Sequence, residues 1–263
     1  MESSQTAAAQ GTQSLRRAVG LLRILSTHLA TGWRLSDIAE RTGLDHTTVH
    51  RLLAGLLEER LVTRVEGTRR YTLGPLAYEL GVASARYFAL DRAAGERLQK
   101  LAAETRCVVF LNVRSGFDSV CIARYEVGNL LKAYTVDVGT RRPLMLSAGG
   151  VAMMIHMARS EITQVEAQNL EAIESQGTAK HAAVRKMLRR SKRLGYGLNY
   201  EDVIPGIAAL GIAVCNAQGD PVASISLASP AVNMPESRMA QLLGRMRVEA
   251  DSLAGQLGQF RYV

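Results

Sequence analysis

Polar and basic side chains suited to contact nucleic acid recur over one short stretch of the sequence. The stretch contains His46, Thr47, Thr48, His50 and Arg51. On an exposed helix face, such side chains bind phosphates and read base edges in the major groove of duplex DNA. The i,i+4 pair of histidines also fits some zinc-binding helices, but no third ligand lies nearby in the sequence. The pattern favours contact with DNA and leaves a metal site as the alternative.

These side chains belong to a segment, Leu35 to Ala54, whose spacing is typical of a helix-turn-helix. The two helices of this motif cross at a steep angle, so the fifth position must be small, and Ala39 occupies it. The ninth position begins a tight turn that favours a left-handed conformation, and Gly43 occupies it. The four inward positions are apolar: Ile38, Leu44, Val49 and Leu52. The segment therefore predicts two packed helices with one polar outer face.

A basic hairpin is predicted directly after these helices. Two short strands, at 61–65 and 70–73, flank a turn at 66–69. Such a hairpin would form the wing of a winged helix, and its arginines at 64, 69 and 70 could reach the DNA backbone or the minor groove. We predict a winged helix-turn-helix DNA-binding domain over residues 14–75. The predicted DNA-contacting residues are His46, Thr47, Thr48, His50, Arg51, Arg69 and Arg70.

The composition is that of an ordinary globular protein with a basic surface. The 263 residues (28.5 kDa) suit one or two domains, and the 47% hydrophobic fraction can form a sizeable core. A net charge of +8 favours polyanionic partners, nucleic acid first. The longest apolar runs, such as Val108 to Val113, are far shorter than the roughly 18 residues of a membrane span. Without a signal sequence at its start, the chain is expected to be soluble and cytoplasmic, with no membrane partner.

The hydrophobic spacing indicates how the remaining chain is organised. Residues 1–13 contain no Leu, Ile, Val or aromatic residue and are expected to form a disordered tail. Helical spacing from 76 to 100 predicts a linker helix after the DNA-binding domain. Residues 101–263 combine strand runs, one of them at 130–138, with several helices and a final hairpin. This order predicts an α+β fold for the second domain rather than a βαβ series.

The cysteines give little indication of catalysis. Cys107, Cys121 and Cys215 are odd in number and have no CxxC spacing, so neither a disulfide framework nor a zinc site is indicated. An enzyme would need one of them to pair with His156 or His181, and no base lies near any of them in the sequence. The sequence also has no phosphate-binding loop and no dinucleotide fingerprint. We expect no enzymatic activity and no cofactor.

Several motifs together resemble the IclR family of bacterial transcriptional regulators. In the N-terminal part they are Ser14 to Ala18, Leu35 to Leu44, Thr48 to Leu53 and Tyr71 to Gly74. In the second half they are Gly139 to Leu144 before Ser147 to Gly150, then Arg193 to Gly197 and Ile225 to Pro230. The resemblance covers roughly residues 14–258, almost the whole chain.

This resemblance implies a winged helix-turn-helix domain, a linker helix and a GAF-like α/β domain for effector binding and oligomerisation, here residues 101–263. Members of the family are typically homodimers or dimers of dimers that bind palindromic operators as repressors or activators. They respond to small organic acids. By resemblance, the chain is a one-component regulator whose binding to double-stranded DNA is modulated by a small carboxylate. The alternative is a DNA-binding regulator whose C-terminal domain only oligomerises or docks a protein partner.

The resemblance also indicates an effector pocket, in which this sequence departs from the family pattern. The lysine that commonly follows the motif glycine is missing at 150–151, and alanines at 209 and 228 replace a cysteine and a serine. These changes remove polar groups, which indicates an acid with an aromatic or apolar tail, or equally a decayed pocket. The predicted pocket residues are Met145, Ser147, Ala148, Gly149, Asn199, Ala209 and Ser226. We expect the acid to bind amides near 148–150, although the glycines there also fit a tightly packed helix.

Overall fold

The computed structural model describes residues 2–27, 31–84, 90–128, 136–174 and 178–256. The chain divides into two compact units, Met1–Phe88 and Ala89–Val263. Within the described ranges, no helix combines the length and apolar character that crossing a membrane requires. The mixture of a helical N-terminal unit and an α/β second unit is the predicted fold class.

The first unit is a winged helix-turn-helix. Its elements are α1 (Glu2–Leu25), β1 (Trp33–Arg34), α2 (Leu35–Thr42), α3 (His46–Glu58), β2 (Val62–Arg64), β3 (Arg70–Leu73) and α4 (Pro75–Ser84). The three strands pair antiparallel in the order β1-β3-β2. Apolar side chains of α1, α2 and α3 form one core, in which Leu53 is buried while Leu52, predicted to point inward, is half-buried. The core therefore positions α3 with its polar residues outward.

The N-terminus differs from the expected disordered tail over residues 1–13. The helix α1 begins at Glu2 rather than at Ser14. Alanine and glutamine dominate the segment from Gln5 to Gln10, and both have high helix propensity. Apolar periodicity predicts where a helix packs against a core, and it does not detect a helix that residue propensity alone favours.

The second unit is a six-stranded antiparallel sheet with helices on both faces. Its elements are α5 (Leu90–Thr105), β4 (Val108–Ser115), β5 (Asp118–Tyr125), β6 (Arg141–Pro143), a 3-10 turn (Leu144–Leu146), α6 (Ala148–Ile155), α7 (Arg159–Glu174), α8 (Thr178–Leu194), β7 (Gly197–Tyr200), β8 (Ile207–Cys215), β9 (Pro221–Pro230), a second 3-10 turn (Ala231–Asn233) and α9 (Glu236–Gln256). The strand order is β6-β5-β4-β9-β8-β7. Each neighbouring pair is antiparallel, as in an α+β fold.

The two faces of this sheet pack against different helices. On one face, Leu111, Ile225 and Leu227 form a core with apolar residues of α5 and α9. On the other face, α6 lies on β7, β8 and β9, while α7 and α8 enclose its outer side. Because successive residues of a strand point to opposite faces, the side chains between those of the α5–α9 core point toward α6.

The predicted linker helix over 76–100 is found as parts of two helices. Its first half lies in α4 of the first unit and its second half in α5 of the second unit, with 85–89 outside the described residues. The predicted strand at 130–138 also lies mostly outside them, since residues 129–135 are not described. The edge strand that the structure does contain there is the shorter β6, which follows at Arg141–Pro143.

Candidate functional site

The tight turn between α2 and α3 is formed by Gly43 and Asp45. Gly43 ends α2 with a φ of +66°, the left-handed conformation that favours glycine. Asp45 caps α3, since its carboxylate accepts hydrogen bonds from the amide of Thr48 at 2.8 Å and from its hydroxyl at 2.7 Å. Ile38 and Val49 are fully buried beneath the turn. The polar face of α3 is therefore held on a rigid, capped helix.

Thr48 has a structural role in addition to any contact with DNA. Hydrogen bonds from its amide and its hydroxyl hold the pKa of Asp45 below the usual value. Because the hydroxyl hydrogen of Thr48 is donated to Asp45, this side chain offers only an acceptor to a partner. A phosphate oxygen requires a donor. As a DNA contact, Thr48 is therefore limited to accepting a hydrogen bond from a base amino group.

The other predicted DNA-contacting residues of α3 are exposed to solvent. His46, Thr47, His50 and Arg51 are all exposed, on the side of α3 away from the buried core. Among the described residues, no group of three or more His, Cys, Asp or Glu side chains is placed to hold a metal ion. This face can therefore present donors and a positive charge to a groove.

The wing adds a second basic element beside α3. Arg69 is exposed at its tip, whereas Arg70 is half-buried and donates a hydrogen bond from Nη1 to the carbonyl of Gly32 at 2.9 Å. Arg64, at 5.5 Å from the ring centre of Tyr71, lies over that ring. Arg70 is thus partly committed to the fold, and Arg69 is the wing residue that is free to reach a phosphate.

A groove within the first unit joins α2, α3 and the wing. Its lining residues are Arg34, Leu35, Ser36, His46, Thr68, Arg69 and Arg70. Sequence reasoning missed Arg34, because the strand β1 that carries it is only two residues long. The antiparallel register places Arg34 opposite Arg70 in the sheet. Two more hydroxyl groups and one more guanidinium therefore border the predicted DNA-contacting surface.

A cavity of about 80 Å³ lies on the α6 face of the sheet in the second unit. All six strands contribute to it, together with the loops that precede α6 and follow β7. The lining residues are Phe110, Asn112, Ser119, Val136, Thr140, Arg142, Leu146, Ser147, Ala148, Asn199, Val203, Ile204, Ile207, Ala209, Ser226 and Ala228. Apolar walls with a few polar groups are typical of small-molecule sites.

The first turn of α6 lies directly on the sheet beside this cavity. A Cβ atom added to Gly197 or Gly211 would overlap the carbonyl oxygen of Ala148, and one added to Gly149 would overlap the hydroxyl of Ser226. These glycines therefore allow the first turn of α6 to lie closer to the sheet than any residue with a side chain would permit. Ser147 caps α6 by accepting a hydrogen bond from the amide of Gly150 at 2.9 Å, so that amide is already bonded, and Ala148 is the first-turn residue of α6 that lines the cavity.

Two polar side chains of the cavity are already hydrogen-bonded. The Oδ1 atom of Asn199 accepts from the amides of Asp202 at 3.1 Å and Val203 at 3.2 Å, so it fixes the loop after β7. Asn112 donates from Nδ2 to the Ser226 hydroxyl oxygen at 3.2 Å. The hydroxyl hydrogen of Ser226 is left to donate, and Asn199 retains only its amide group for a ligand.

Family models match both units. The IclR helix-turn-helix domain matches residues 14–66, and the domain described as bacterial transcriptional regulator IclR C-terminal matches residues 83–254. The second match alone covers more than half of the chain. The chain belongs to the IclR family.

Known members of the IclR family match almost the full length of the chain. It is 25% identical to the transcriptional regulator BhcR of Paracoccus denitrificans over 88% of this chain and 82% of that protein. The transcriptional repressor AllR of Escherichia coli K12 is 23% identical over 97% of this chain and 94% of its own length. These relatives are named as transcriptional regulators.

Solved structures of IclR proteins share the fold. The transcriptional regulator from Alicyclobacillus acidocaldarius is 24% identical with a TM-score of 0.73, covering 94% of this chain and 99% of its own. An IclR homologue from Microbacterium hydrocarbonoxydans, solved in complex with 4-hydroxybenzoate, is 19% identical with a TM-score of 0.68 and covers 93% of this chain and 98% of its own. At these identities the likeness concerns the fold.

Five of the seven predicted pocket residues of this IclR-family chain line the cavity: Ser147, Ala148, Asn199, Ala209 and Ser226. The other two do not. Met145 is fully buried in the core beneath α7 and α8, because the 3-10 turn directs Leu146 toward the cavity instead. Gly149 packs against the sheet rather than lining the space.

Arg142 is the most informative lining residue that sequence reasoning missed. It follows Arg141 on β6, and their side chains have different surroundings: Arg141 pairs with Asp118 at 3.0 Å, whereas Arg142 lines the cavity. Burial lowers the pKa of Arg142 from its usual value. Nothing in the sequence indicated that the two arginines point to opposite sides, because a three-residue edge strand is too short to be recognised from its side-chain alternation.

The cysteines of this IclR-family chain are poor nucleophiles. Burial raises the pKa of Cys107, and it raises that of Cys121 to about 11. Cys215 and His156 both line a second cavity of about 330 Å³, and there burial also raises the pKa of the Cys215 thiol. A thiol that is protonated at neutral pH is not an activated nucleophile.

Proposed function

We propose that this chain is a one-component transcriptional regulator that binds a palindromic DNA operator through α3 and the wing. In this proposal a small organic acid, bound in the cavity of the second unit, modulates operator binding. The ligand must bind the DNA-competent and DNA-incompetent states with different affinity, since otherwise it shifts no equilibrium. The proposal covers no catalytic step, in line with the relatives named as regulators.

The DNA-binding part is supported by the exposed face of α3 and by the groove beside it. His50 and Arg51 can reach base edges, while Arg34 and Arg69 border the same surface and can bind phosphates. The net charge of +8 adds a sequence-independent attraction to DNA. To identify the operator, the full-length protein would be incubated with a random duplex library and the bound sequences enriched.

The ligand-binding part is carried by one observation, the cavity in which five predicted pocket residues meet. Its walls are mostly apolar, with Phe110, Ile207 and Ala228 among them, and its donors include Asn112 and Ser226. A related protein of the same fold was solved with 4-hydroxybenzoate. An acid whose tail is aromatic or aliphatic suits these walls, and its carboxylate suits the donors.

A homodimer or a dimer of dimers is part of the proposal, because a two-fold protein matches a palindromic operator. Apolar side chains are exposed on two helices of the first unit. Leu15 and Val19 of α1 are 64% and 38% exposed, and Tyr78 and Val82 of α4 are 76% and 56% exposed. A second copy of the chain would cover such side chains.

The ligand proposal is tested by the melting temperature of the full-length protein in the presence of acids. We expect at least one of 4-hydroxybenzoate, benzoate, hexanoate and pyruvate to raise it. Ser226→Leu fills the cavity and should abolish the rise, whereas Ser160→Leu, on the exposed surface of α7, should not. If no acid raises the melting temperature, the alternative gains support: a second unit that only oligomerises or docks a protein.

A further inference from the structure

Arg142 brings a positive charge into the cavity without an opposite charge beside it. It lies on β6 opposite Ser119, and both line the cavity. Among the described residues, no carboxylate forms an ion pair with its guanidinium group. A guanidinium carries five donors in a fork that fits a carboxylate, and it is charged at any ordinary pH.

The carboxylates of the surrounding strands and loops are already paired elsewhere. Asp118 pairs with Arg141 at 3.0 Å, on the strand that neighbours Ser119. Arg124 pairs with Asp137 at 3.0 Å and with Glu126 at 2.9 Å. The acids of this part of the sheet are therefore matched to other arginines, and Arg142 is left facing the space that a ligand would occupy.

We infer that Arg142 is the receptor for the carboxylate of the ligand and selects acids over neutral molecules of the same shape. The inference rests on the proposed function and specifies where the acid binds. Ser119 and Thr140 also line the cavity; the Ser119 hydroxyl donates to the backbone carbonyl of Arg142 at 3.5 Å, and the Thr140 hydroxyl oxygen accepts from the amide of Asp137 at 3.0 Å. The tail of the ligand then extends along the apolar side chains of Phe110 and Ile207.

The selectivity follows from the cost of partial burial. An unpaired guanidinium that is removed from water is unfavourable, and a carboxylate that binds it through two hydrogen bonds offsets this cost. A neutral amide can accept a hydrogen bond only through its carbonyl oxygen, carries no charge and places its NH2 group against the remaining donors of Arg142, so it offsets much less of this cost. The same residue therefore favours the acid and disfavours its amide.

The experiment uses the full-length protein and acid–amide pairs: benzoate with benzamide, 4-hydroxybenzoate with its amide, and hexanoate with hexanamide. Wild-type protein should be stabilised by an acid and not by the matching amide. Arg142→Met, which keeps an unbranched side chain without the charge, should weaken binding of that acid at least about tenfold in titration calorimetry. Arg189→Met removes an exposed arginine of α8 and should leave the affinity unchanged.

A second readout separates ligand binding from a structural role. Arg142→Met should melt, without ligand, at the same temperature as wild type or higher, because an unpaired and partly buried charge is removed. A marked fall would show that Arg142 supports the fold, and would overturn the inference.

The remaining outcomes distinguish this inference from the proposed function. An acid that binds Arg142→Met as tightly as wild type would leave the regulator proposal intact and would reject Arg142 as the receptor. Wild-type protein that binds amides but not acids would reject Arg142 as the receptor and would also reject an organic acid as the ligand, while DNA binding by the first unit would be unaffected. If no probe of any pair binds wild-type protein, both proposals fail.

Discussion

Asp45 and Thr48 are joined by two hydrogen bonds at the first turn of α3, at 2.8 Å to the amide and 2.7 Å to the hydroxyl. The helix that carries the predicted DNA-contacting residues is thus capped by a group that can titrate. The capping carboxylate also lies at the helix N-terminus, where a negative charge is favourable. Protonation of Asp45 therefore weakens both contributions at once.

We predict that Asp45→Asn makes the stability of the first unit less dependent on pH. The pKa of Asp45 in the folded protein lies below its ordinary value of 3.8, so its charge stabilises the fold above that pH. This stabilisation is lost as the pH falls through the lower, folded-state pKa. Asparagine also caps helices well but is neutral. Thermal unfolding by circular dichroism should show wild type as the more stable protein at pH 7.

The difference between wild type and Asp45→Asn should shrink progressively as the pH falls below 3.8, because the capping carboxylate becomes neutral. Asp251→Asn, an exposed position on α9, provides the matched control and should behave as wild type. A difference that persists at pH 2 would show that the charge of Asp45 is not its source.

Arg51→Ala should weaken binding to the selected operator by about 1–3 kcal/mol if the side chain reads a base. The loss should then be larger for the operator than for random duplex DNA, measured by fluorescence anisotropy at one salt concentration. If Arg51 instead binds a phosphate, both affinities should fall alike and the slope of affinity against salt should decrease by about one charge.

The control for this experiment is Arg60→Gln, which removes an exposed arginine two residues beyond the C-terminal end of α3. Arg60 pairs with Glu79 at 2.9 Å on the surface, so its loss should cost little stability. Equal losses of operator affinity for both variants would indicate that only net charge matters. Unchanged binding by Arg51→Ala would reject α3 as the recognition helix.

The helix-turn-helix could be predicted closely from the sequence, because each position of the motif requires a particular kind of residue independently of distant parts of the chain. Gly43 in a left-handed turn and Ile38 and Val49 in the core are local requirements that residue type reveals. The hydrogen bond from the Thr48 hydroxyl to Asp45 was not predicted, because a polar side chain that takes part in a helix cap cannot be told from one that contacts DNA by sequence alone.

The cavity was predicted only in part, because its residues come from six strands that are distant in sequence. Ser226 and Ala209 were found through family motifs, whereas Asn112 and Arg142 were not. Their side chains meet only through the register of β4 with β9 and of β5 with β6. A register cannot be inferred from strand composition, and a one-residue shift would place Arg142 on the opposite face.

We predict that the protein is at least dimeric, with α1 contributing to the interface. Leu15→Glu introduces a charge at a side chain that is 64% exposed and should lower the mass found by light scattering at micromolar concentration. Gln13→Glu adds the same charge on roughly the opposite side of α1 and should leave the mass unchanged. A monomeric wild type, with and without DNA, would contradict the prediction.

Gly149→Ala should both destabilise the second unit and abolish ligand binding. The new Cβ would overlap the hydroxyls of Ser226 and Ser224, so either these side chains or α6 must shift, and the hydrogen bond between Asn112 and Ser226 must change. Overpacking of this kind costs about 1–3 kcal/mol, which urea denaturation would measure. Calorimetry with the acid that stabilises wild type should then show no binding.

Gly244→Ala is the matched control, because it adds the same methyl group to α9 where no atom beyond the adjacent helix backbone lies within 4 Å of the new Cβ. Alanine is favoured over glycine in a helix by about 0.5–1 kcal/mol, so this variant should be slightly more stable and bind the acid as wild type does. If Gly149→Ala kept both its stability and its ligand affinity, then the first turn of α6 would not lie against Ser226, and the wall of the cavity would have to be assigned differently.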